Sequence, residues 1–401
     1  MARPGQRKPA VGDRLSDCIS IGVLTRTFSP ELIDRVIDES GKREQRVRLL
    51  PARVTVYFVL ALCLFAHESY VEVITLLVKG LTWARRWSGQ WSEPSDTALV
   101  NARRRLGPEP FEALFREVVK PIAIKKTKGA WYRDRRLVAI DGTILDIPDT
   151  LDNEARFGRP SSSGEDKAAF PQARVVGLVE CGTHALFDAV ISGCSDSETK
   201  LTPALFDSLE PEMLCLADRG FWSYELWKQA SASGADLLWR TKSNIVFPVV
   251  AQLDDGSYLS EISASRDRKK TEKITVRVIE YRLDGPSDET YRIVTTILDP
   301  TVAPAIELAG LYAERWEIES AFGELKTYQR GKGVVLRSKS PDGVLQEIWG
   351  HLLVHYALRL VMRDAAHEAD LDPDRMSFLN ALRIVRRQVT EPVAFSPRKS
   401  Q

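Results

Sequence analysis

Asp141 lies inside an apolar run, Leu137 to Pro148, and Asp218 closes a second one, Leu214-Cys215-Leu216-Ala217. An ionised carboxylate among such residues is costly unless it is paired, hydrogen-bonded or metal-bound. For Asp141 the plainer reading is a buried cap on the Gly142-Thr143 turn. Two such acids on neighbouring strands suggest more, because ligands of open sheets gather where strand ends converge. A third acid must come from a helix further on, where Glu314, Glu317, Glu319 and Glu324 compete. At about 100° per residue, Tyr312, Arg315, Glu319 and Lys326 fall within roughly a 60° arc, and the other three glutamates point away. That stripe borders the apolar face of Leu311, Ile318, Phe322 and Leu325. It reads either as a site carrying a hydroxyl, a guanidinium, a carboxylate and an ammonium, or as a helix flank salt-bridged between Arg315 and Glu319.

Three carboxylates on two strands and a helix suit two divalent ions, which serve in-line phosphoryl transfer by activating one oxygen and stabilising another. Ligation by oxygen alone favours Mg²⁺ or Mn²⁺ over zinc. Arg315 could then hold a phosphate with two N–H groups, Lys326 could add charge, and Tyr312 could donate to a further phosphate oxygen.

These residues need a sheet and a helix to carry them. Strands are expected at Leu137 to Pro148, Ala173 to Glu180, His184 to Ile191, Leu214 to Ala217 and Asp236 to Arg240, with helices at Ser197 to Leu209 and Tyr224 to Ser233. Three strands, a helix, a strand, a helix and a strand is the running order of a ribonuclease-H-like core. The fold class expected is therefore α/β, with a β-rich insertion between the fifth strand and the catalytic helix and an all-α domain in front. By residue number these are a flexible tail at 1–20, a helical DNA-binding domain at 21–130 and the first part of the core at 131–242. The insertion follows at 243–300, the rest of the core with the catalytic and last helices at 301–370, and a basic segment at 371–401. The catalytic helix is expected from Ala303 to about Tyr328 and the last from Gln346 to Met362. Within that last helix the His351 and His355 pair lacks the glutamate of a zinc protease motif and reads as structural.

The net charge of +1 hides an asymmetry. Residues 1–130 carry 22 Lys and Arg against 14 Asp and Glu, and the remainder 34 against 41, a balance of +8 before −7. A basic front and an acidic back suit a nucleic-acid-gripping arm joined to a carboxylate-bearing core. Ser95-Asp96 opens a helix ending in Arg103, Arg104 and Arg105, which reads either as a DNA-contacting helix or as a solvated basic helix end. The five cysteines form no CxxC pair, and a reducing cytosol is the simplest setting. Val54 to Phe65, the most apolar stretch, is too short to span a bilayer, so no membrane is expected.

With these residues in place, the chain resembles the DDE transposases of the insertion-sequence 4 family. That family's Tyr-x2-Arg-x3-Glu-x6-Lys signature stands intact as Tyr312, Arg315, Glu319 and Lys326. Asp141-Gly142-Thr143 resembles its first acidic motif, Asp218-Arg219-Gly220-Phe221 its second, and about Val23 to Leu106 its N-terminal domain. The resemblance implies Asp141, Asp218 and Glu319 as catalytic metal ligands. It also implies double-stranded DNA (terminal inverted repeats and target) as partner, a homodimer on DNA, and a cytoplasmic, nucleoid-associated protein. Cut-and-paste excision through hairpin ends, followed by strand transfer, is the implied activity. Hairpin formers are expected to carry a base-stacking Trp in the insertion, and here Tyr291 stands at that position. The chain stops at Gln401 soon after Arg383, Arg386 and Arg387. More C-terminal sequence is expected from the resemblance, so a truncated, DNA-binding inhibitor of transposition is the alternative, and a plain ribonuclease-H-like nuclease a third.

Overall fold

Ser95 caps a helix as its sequence position predicts, and Ser29 caps another, their hydroxyls accepting from the Ala98 and Leu32 N–H groups at 3.3 Å. The computed structural model describes residues 22–46, 48, 50–79, 94–160, 168–264, 272–282 and 290–388. The expected tail at 1–20 and the end of the basic segment lie outside them. The chain forms two units, the first including Glu324–Met362 beside residues up to Val119 and those from Met376, the second Lys120–Gly323 and Arg363–Arg375. The segment expected as one piece at 301–370 is thus shared between them.

In the first unit, helices Gly22–Thr27, Pro30–Glu39, Ala52–Leu64, Tyr70–Lys79, Asp96–Leu106 and Glu109–Val118 pack with most of the long helix Pro341–Glu368 and with Phe378–Gln388. Every residue of Ala52–Leu64 except Arg53 is buried, as a helix that is apolar all round requires.

The second unit is built on one ten-stranded sheet. Its strands are β1 (Trp131–Tyr132), β2 (Arg135–Asp146), β3 (Gln172–Glu180), β4 (Ala185–Gly193), β5 (Met213–Ala217), β6 (Asp236–Arg240), β7 (Val249–Gln252), β8 (Tyr258–Ile262), β9 (Ile274–Arg282) and β10 (Thr290–Thr295). They lie in the order β4-β3-β2-β5-β6-β10-β9-β8-β7, with β1 beside β2. Among these described strands only β2-β5 and β5-β6 are parallel pairs. All five residues of β5 are buried, the continuous apolar pattern of a strand covered on both faces.

The β-rich stretch continues the core sheet: β10 pairs with β6 and leads on into β9, β8 and β7. One expectation is corrected. The single helix expected from Ala303 to Tyr328 is a succession of forms: α at Ala305–Leu311, 3₁₀ at Tyr312–Arg315, α at Trp316–Gly323 and π at Glu324–Gln329. A projection at 100° per residue does not hold across such changes, since 3₁₀ turns are tighter and π turns wider.

Candidate active site

Parallel pairing brings the two strand acids together. Ile140 stands opposite Ala217 in the β2-β5 ladder, and Asp141 and Asp218 are the next residue along each chain. Asp141 Oδ1 accepts the Gly142 N–H at 2.7 Å. Its carboxyl is pushed up to about 6, chiefly by burial and further by Glu198 and Glu319, against the Gly142 N–H and Arg315, which pull it down. This acid holds its charge against its surroundings.

The segment Tyr312–Gly323 packs on β2, β3 and β5. Tyr312 is buried, with its hydroxyl directed at the Ala217 carbonyl oxygen 3.3 Å away. Burial raises its pKa. Arg315, also buried, sets its guanidinium between two acids: Nη1 is 3.7 Å from Asp141 Oδ2 and Nη2 donates to Glu319 Oε1 at 3.1 Å. Burial works against its charge, but Tyr312, Asp218, Glu319 and Asp141 together hold the guanidinium above its ordinary pKa. The Arg315–Glu319 flank pair is therefore present, and the same guanidinium reaches toward Asp141. Arg315 Nε has no hydrogen-bond partner among the described residues.

The competing glutamates have other attachments. Glu317 pairs with His184. Glu324 is buried, accepting from Arg359 Nε at 2.9 Å and lying 3.0 Å from His355 Nε2. Glu314 is pushed up by burial and by Glu317, and neither Asp141 nor Asp218 is among its electrostatic neighbours there. Lys326 is exposed on the π turn Glu324–Gln329 of the first unit. His351 and His355 are buried, the former 3.2 Å from Gln329 Nε2.

Tyr291 is half-buried on β10, stacked on Tyr281 at 5.5 Å and 25°, with the Arg240 guanidinium 4.1 Å from its ring centre. The basic helix end needs correction. Arg103 does not face solvent: it is buried, bonding Gln346 Oε1 (3.0 Å), Ser338 Oγ (2.8 Å), the Gly343 carbonyl (3.0 Å) and the Tyr70 hydroxyl. A guanidinium with this many acceptors is a buried strut. Arg104 and Arg105 are exposed, and Arg105 lines a cavity of about 390 Å³ with Lys42, Arg46, Arg48 and Glu44. Sequence reasoning missed Glu198, whose charge bears on Asp141.

Among the described residues, no three His, Cys, Asp or Glu side chains stand close enough to share one ion. The donor set nevertheless suits a hard cation, being carboxylate oxygen throughout. A cation already stands between Asp141 and Glu319 in the form of Arg315. The residues fit divalent ions in charge and chemistry, with Arg315 holding the place.

Comparison with known proteins defines the class. Residues 132–357, more than half the chain, match the family described as transposase DDE domain, whose members generally use divalent metal ions. Residues 18–116 match the insertion element 4 transposase N-terminal family. The chain is 28% identical over 378 residues to the Escherichia coli K12 transposase InsG for insertion sequence element IS4, covering 92% of this chain and 83% of that one. It is 26% identical over 210 residues to the putative transposase InsZ of the same organism, covering 52% and 67%. A solved piggyBac transposase synaptic complex with hairpin DNA is 10% identical with a TM-score of 0.48, over 92% of this chain and 79% of that one. The chain belongs to the DDE transposases of the insertion-sequence 4 family.

Proposed function

We propose that the chain excises its element by metal-dependent cut-and-paste chemistry through hairpin ends, and joins it to target DNA, with Asp141, Asp218 and Glu319 as the catalytic acids. The observation that carries this is the placement of Asp141 on β2 and Asp218 just past the end of β5, each one residue beyond the last pair of the parallel β2-β5 ladder, with Arg315 linking Asp141 to Glu319. The strands β4-β3-β2-β5-β6 are then a ribonuclease-H-like core and β7 to β10 its insertion. The expected domain limits serve as functional segments on this reading.

The three acids would hold two Mg²⁺ or Mn²⁺ ions. Divalent ions in such a site activate an attacking oxygen and stabilise a leaving one. The chain's own groups do the positioning. Arg315, released from the carboxylates, grips a phosphate with two N–H groups, and Tyr312 donates to a neighbouring phosphate oxygen. Lys326 adds charge to the same strand. Tyr291 serves base stacking only if Tyr281 or Arg240 gives up one face of its ring. In the N-terminal region, Lys42, Arg46, Arg48, Arg104 and Arg105 suit the phosphate backbone of an element end. Cutting both ends of an element calls for a homodimer on DNA. No helix among the described residues is long and apolar enough to cross a membrane, and a protein acting on chromosomal DNA belongs in the cytoplasm at the nucleoid.

The test is cleavage and joining of labelled duplex carrying the element's own inverted repeats, in Mg²⁺ and in EDTA. Cleavage that survives Asp141→Ala or Glu319→Gln would overturn the site. End binding without nicking in Mg²⁺ or Mn²⁺ would favour a DNA-binding inhibitor, and cutting of generic duplex without joining a plain nuclease.

A further inference from the structure

The basic segment near the end of the chain forms a helix with two unlike faces. Phe378–Gln388 carries three arginines and no acid. Ser377 caps its start, Oγ accepting the Asn380 N–H at 3.3 Å. Phe378, Leu382 and Val385 are buried, and the helix packs within the first unit on the π turn Glu324–Gln329 that carries Lys326. Arg386 fixes it there, donating from Nε to the Leu64 carbonyl at 2.7 Å and from Nη2 to that of Gln329 at 3.3 Å. The helix is α throughout. At about 100° per residue, Asn380, Arg383, Ile384 and Arg387 therefore share roughly a 100° arc on the other side, and all four are exposed.

A solvated helix end accounts for only part of this. Arginines in a last turn suit the negative end of the helix dipole, which covers Arg386 and Arg387. Arg383 stands mid-helix, where the dipole offers it little. The residues three and four away from it are Leu379, Asn380, Arg386 and Arg387, so it meets no acid and repels two like charges. Asn380 and Arg383 make no side-chain hydrogen bond or ion pair among the described residues. Ile384 is 53% exposed between the arginines. Stability selects none of these choices, and residues that break local rules collect where a surface must bind something.

The face fits a duplex groove in size and chemistry. The major groove of B-DNA admits one α-helix. From Asn380 to Arg387 the helix rises about 10 Å, the length of about three base pairs. Arginine pairs with guanine and asparagine with adenine through two hydrogen bonds each, and an apolar side chain meets the thymine methyl. A surface that only grips phosphate needs neither the asparagine nor the isoleucine.

We propose that Phe378–Gln388 is a base-reading helix, which lays Asn380, Arg383, Ile384 and Arg387 in the major groove of the element end. Its partner is B-form duplex DNA, recognised by sequence. This rests on the reading that the chain acts on its own element ends, and it assigns sequence reading to a helix other than Asp96–Leu106, whose Arg103 is buried.

The experiment measures binding of the full chain to two fluorescent duplexes by anisotropy at fixed salt, one carrying the element's own inverted repeat and one with that repeat scrambled. Circular dichroism checks folding. Arg383→Lys keeps the charge and removes the two-pronged donor. Affinity for the repeat is expected to fall about tenfold or more, while affinity for the scrambled duplex stays unchanged. Asn380→Ala is expected to do the same. If both variants bind the repeat as the parent does, and the parent still prefers it, the proposal falls and the proposed function stands. Equal losses on both duplexes also overturn it, since the helix then grips phosphate alone. A parent that binds both duplexes alike fells the reading that the chain acts on its own ends, and this proposal with it. Should Arg383→Lys fail to fold, Asn380→Ala decides on the same two duplexes.

Discussion

Asp141→Asn should make the metal-free protein more stable while abolishing strand cleavage. The carboxyl is raised from its ordinary 3.8 to about 6, and its side chain is only 22% exposed, so solvent screens it little. The sign follows from proton linkage. Between the two pKa values the folded chain binds a proton that the unfolded chain has released. Stability therefore falls as pH rises from about 4 to about 6 and stays low above. At about 1.4 kcal/mol per pKa unit, the penalty above pH 6 is about 3 kcal/mol. Asparagine carries no charge and can still accept the Gly142 N–H, so it escapes the penalty. For a unit of this size, about 3 kcal/mol corresponds to a Tm rise of about 6–12 °C. Thermal unfolding in EDTA, recorded from pH 4 to 8, should show parent and variant converging near pH 4. The gap should open through pH 5 and remain constant above about 6.5. A variant equal to or less stable than the parent at pH 7.5, or a gap independent of pH, would refute the claim that burial outweighs Arg315 and the Gly142 N–H at Asp141.

Other consequences are structural and electrostatic. Glu180 is fully buried, paired with Arg136 and accepting from Ile122 N (3.0 Å), Ala123 N (2.8 Å) and Thr183 Oγ1 (2.6 Å). Glu180→Ala should cost about 3–5 kcal/mol, read as a fall in the urea midpoint. Arg103→Ala should destabilise by about 3 kcal/mol through its four abandoned acceptors, whereas Arg104→Ala and Arg105→Ala should stay within about 0.5 kcal/mol. Equal effects from all three would contradict the burial of Arg103. Removing Arg46, Arg48 or Arg105 singly should weaken binding to the element end and reduce its salt slope by about 1 for each arginine that grips a phosphate, measured by fluorescence anisotropy across a salt series.

The sheet is legible in the sequence because its burial pattern is a direct record of its environment. Leu137 to Ile140 and Leu214 to Ala217 are apolar without alternation, and both prove to be covered strands, paired in parallel. Their pairing follows from chain order. The register that aligns Asp141 with Asp218 does not, since no residue between them encodes it. What stays hidden depends on contacts between distant parts of the chain. Arg103, Arg104 and Arg105 are identical in type and adjacent, and only the tertiary surroundings select Arg103 for the interior. Strands β7 and β8 escape the sequence for a different reason. All four residues of β7 are exposed, so it leaves no apolar signature, and its place is fixed by backbone pairing with β8.

The helical segment after Ala305 shows how a spacing argument depends on regular geometry. Regular α-periodicity selects Glu319 over its neighbours, yet the segment is regular only between Trp316 and Gly323. Arg315 and Glu319 still meet, because they are separated by four residues and lie across nearly regular helix. Over the longer interval to Lys326 the same reasoning loses force, because the π turn begins at Glu324. That turn has a visible cause in its own unit: Glu324 is buried against Arg359 and His355, and Arg330 N reaches back five residues to the Leu325 carbonyl at 3.2 Å. A carboxylate tied to two basic groups on a neighbouring helix overrides the local preference for i to i+4 bonding, since leaving it buried and unpaired would cost more than one widened turn. Short-range spacing is therefore reliable within a turn or two of a helix. Beyond that, the position of Lys326 depends on a buried charge cluster that helical periodicity does not describe.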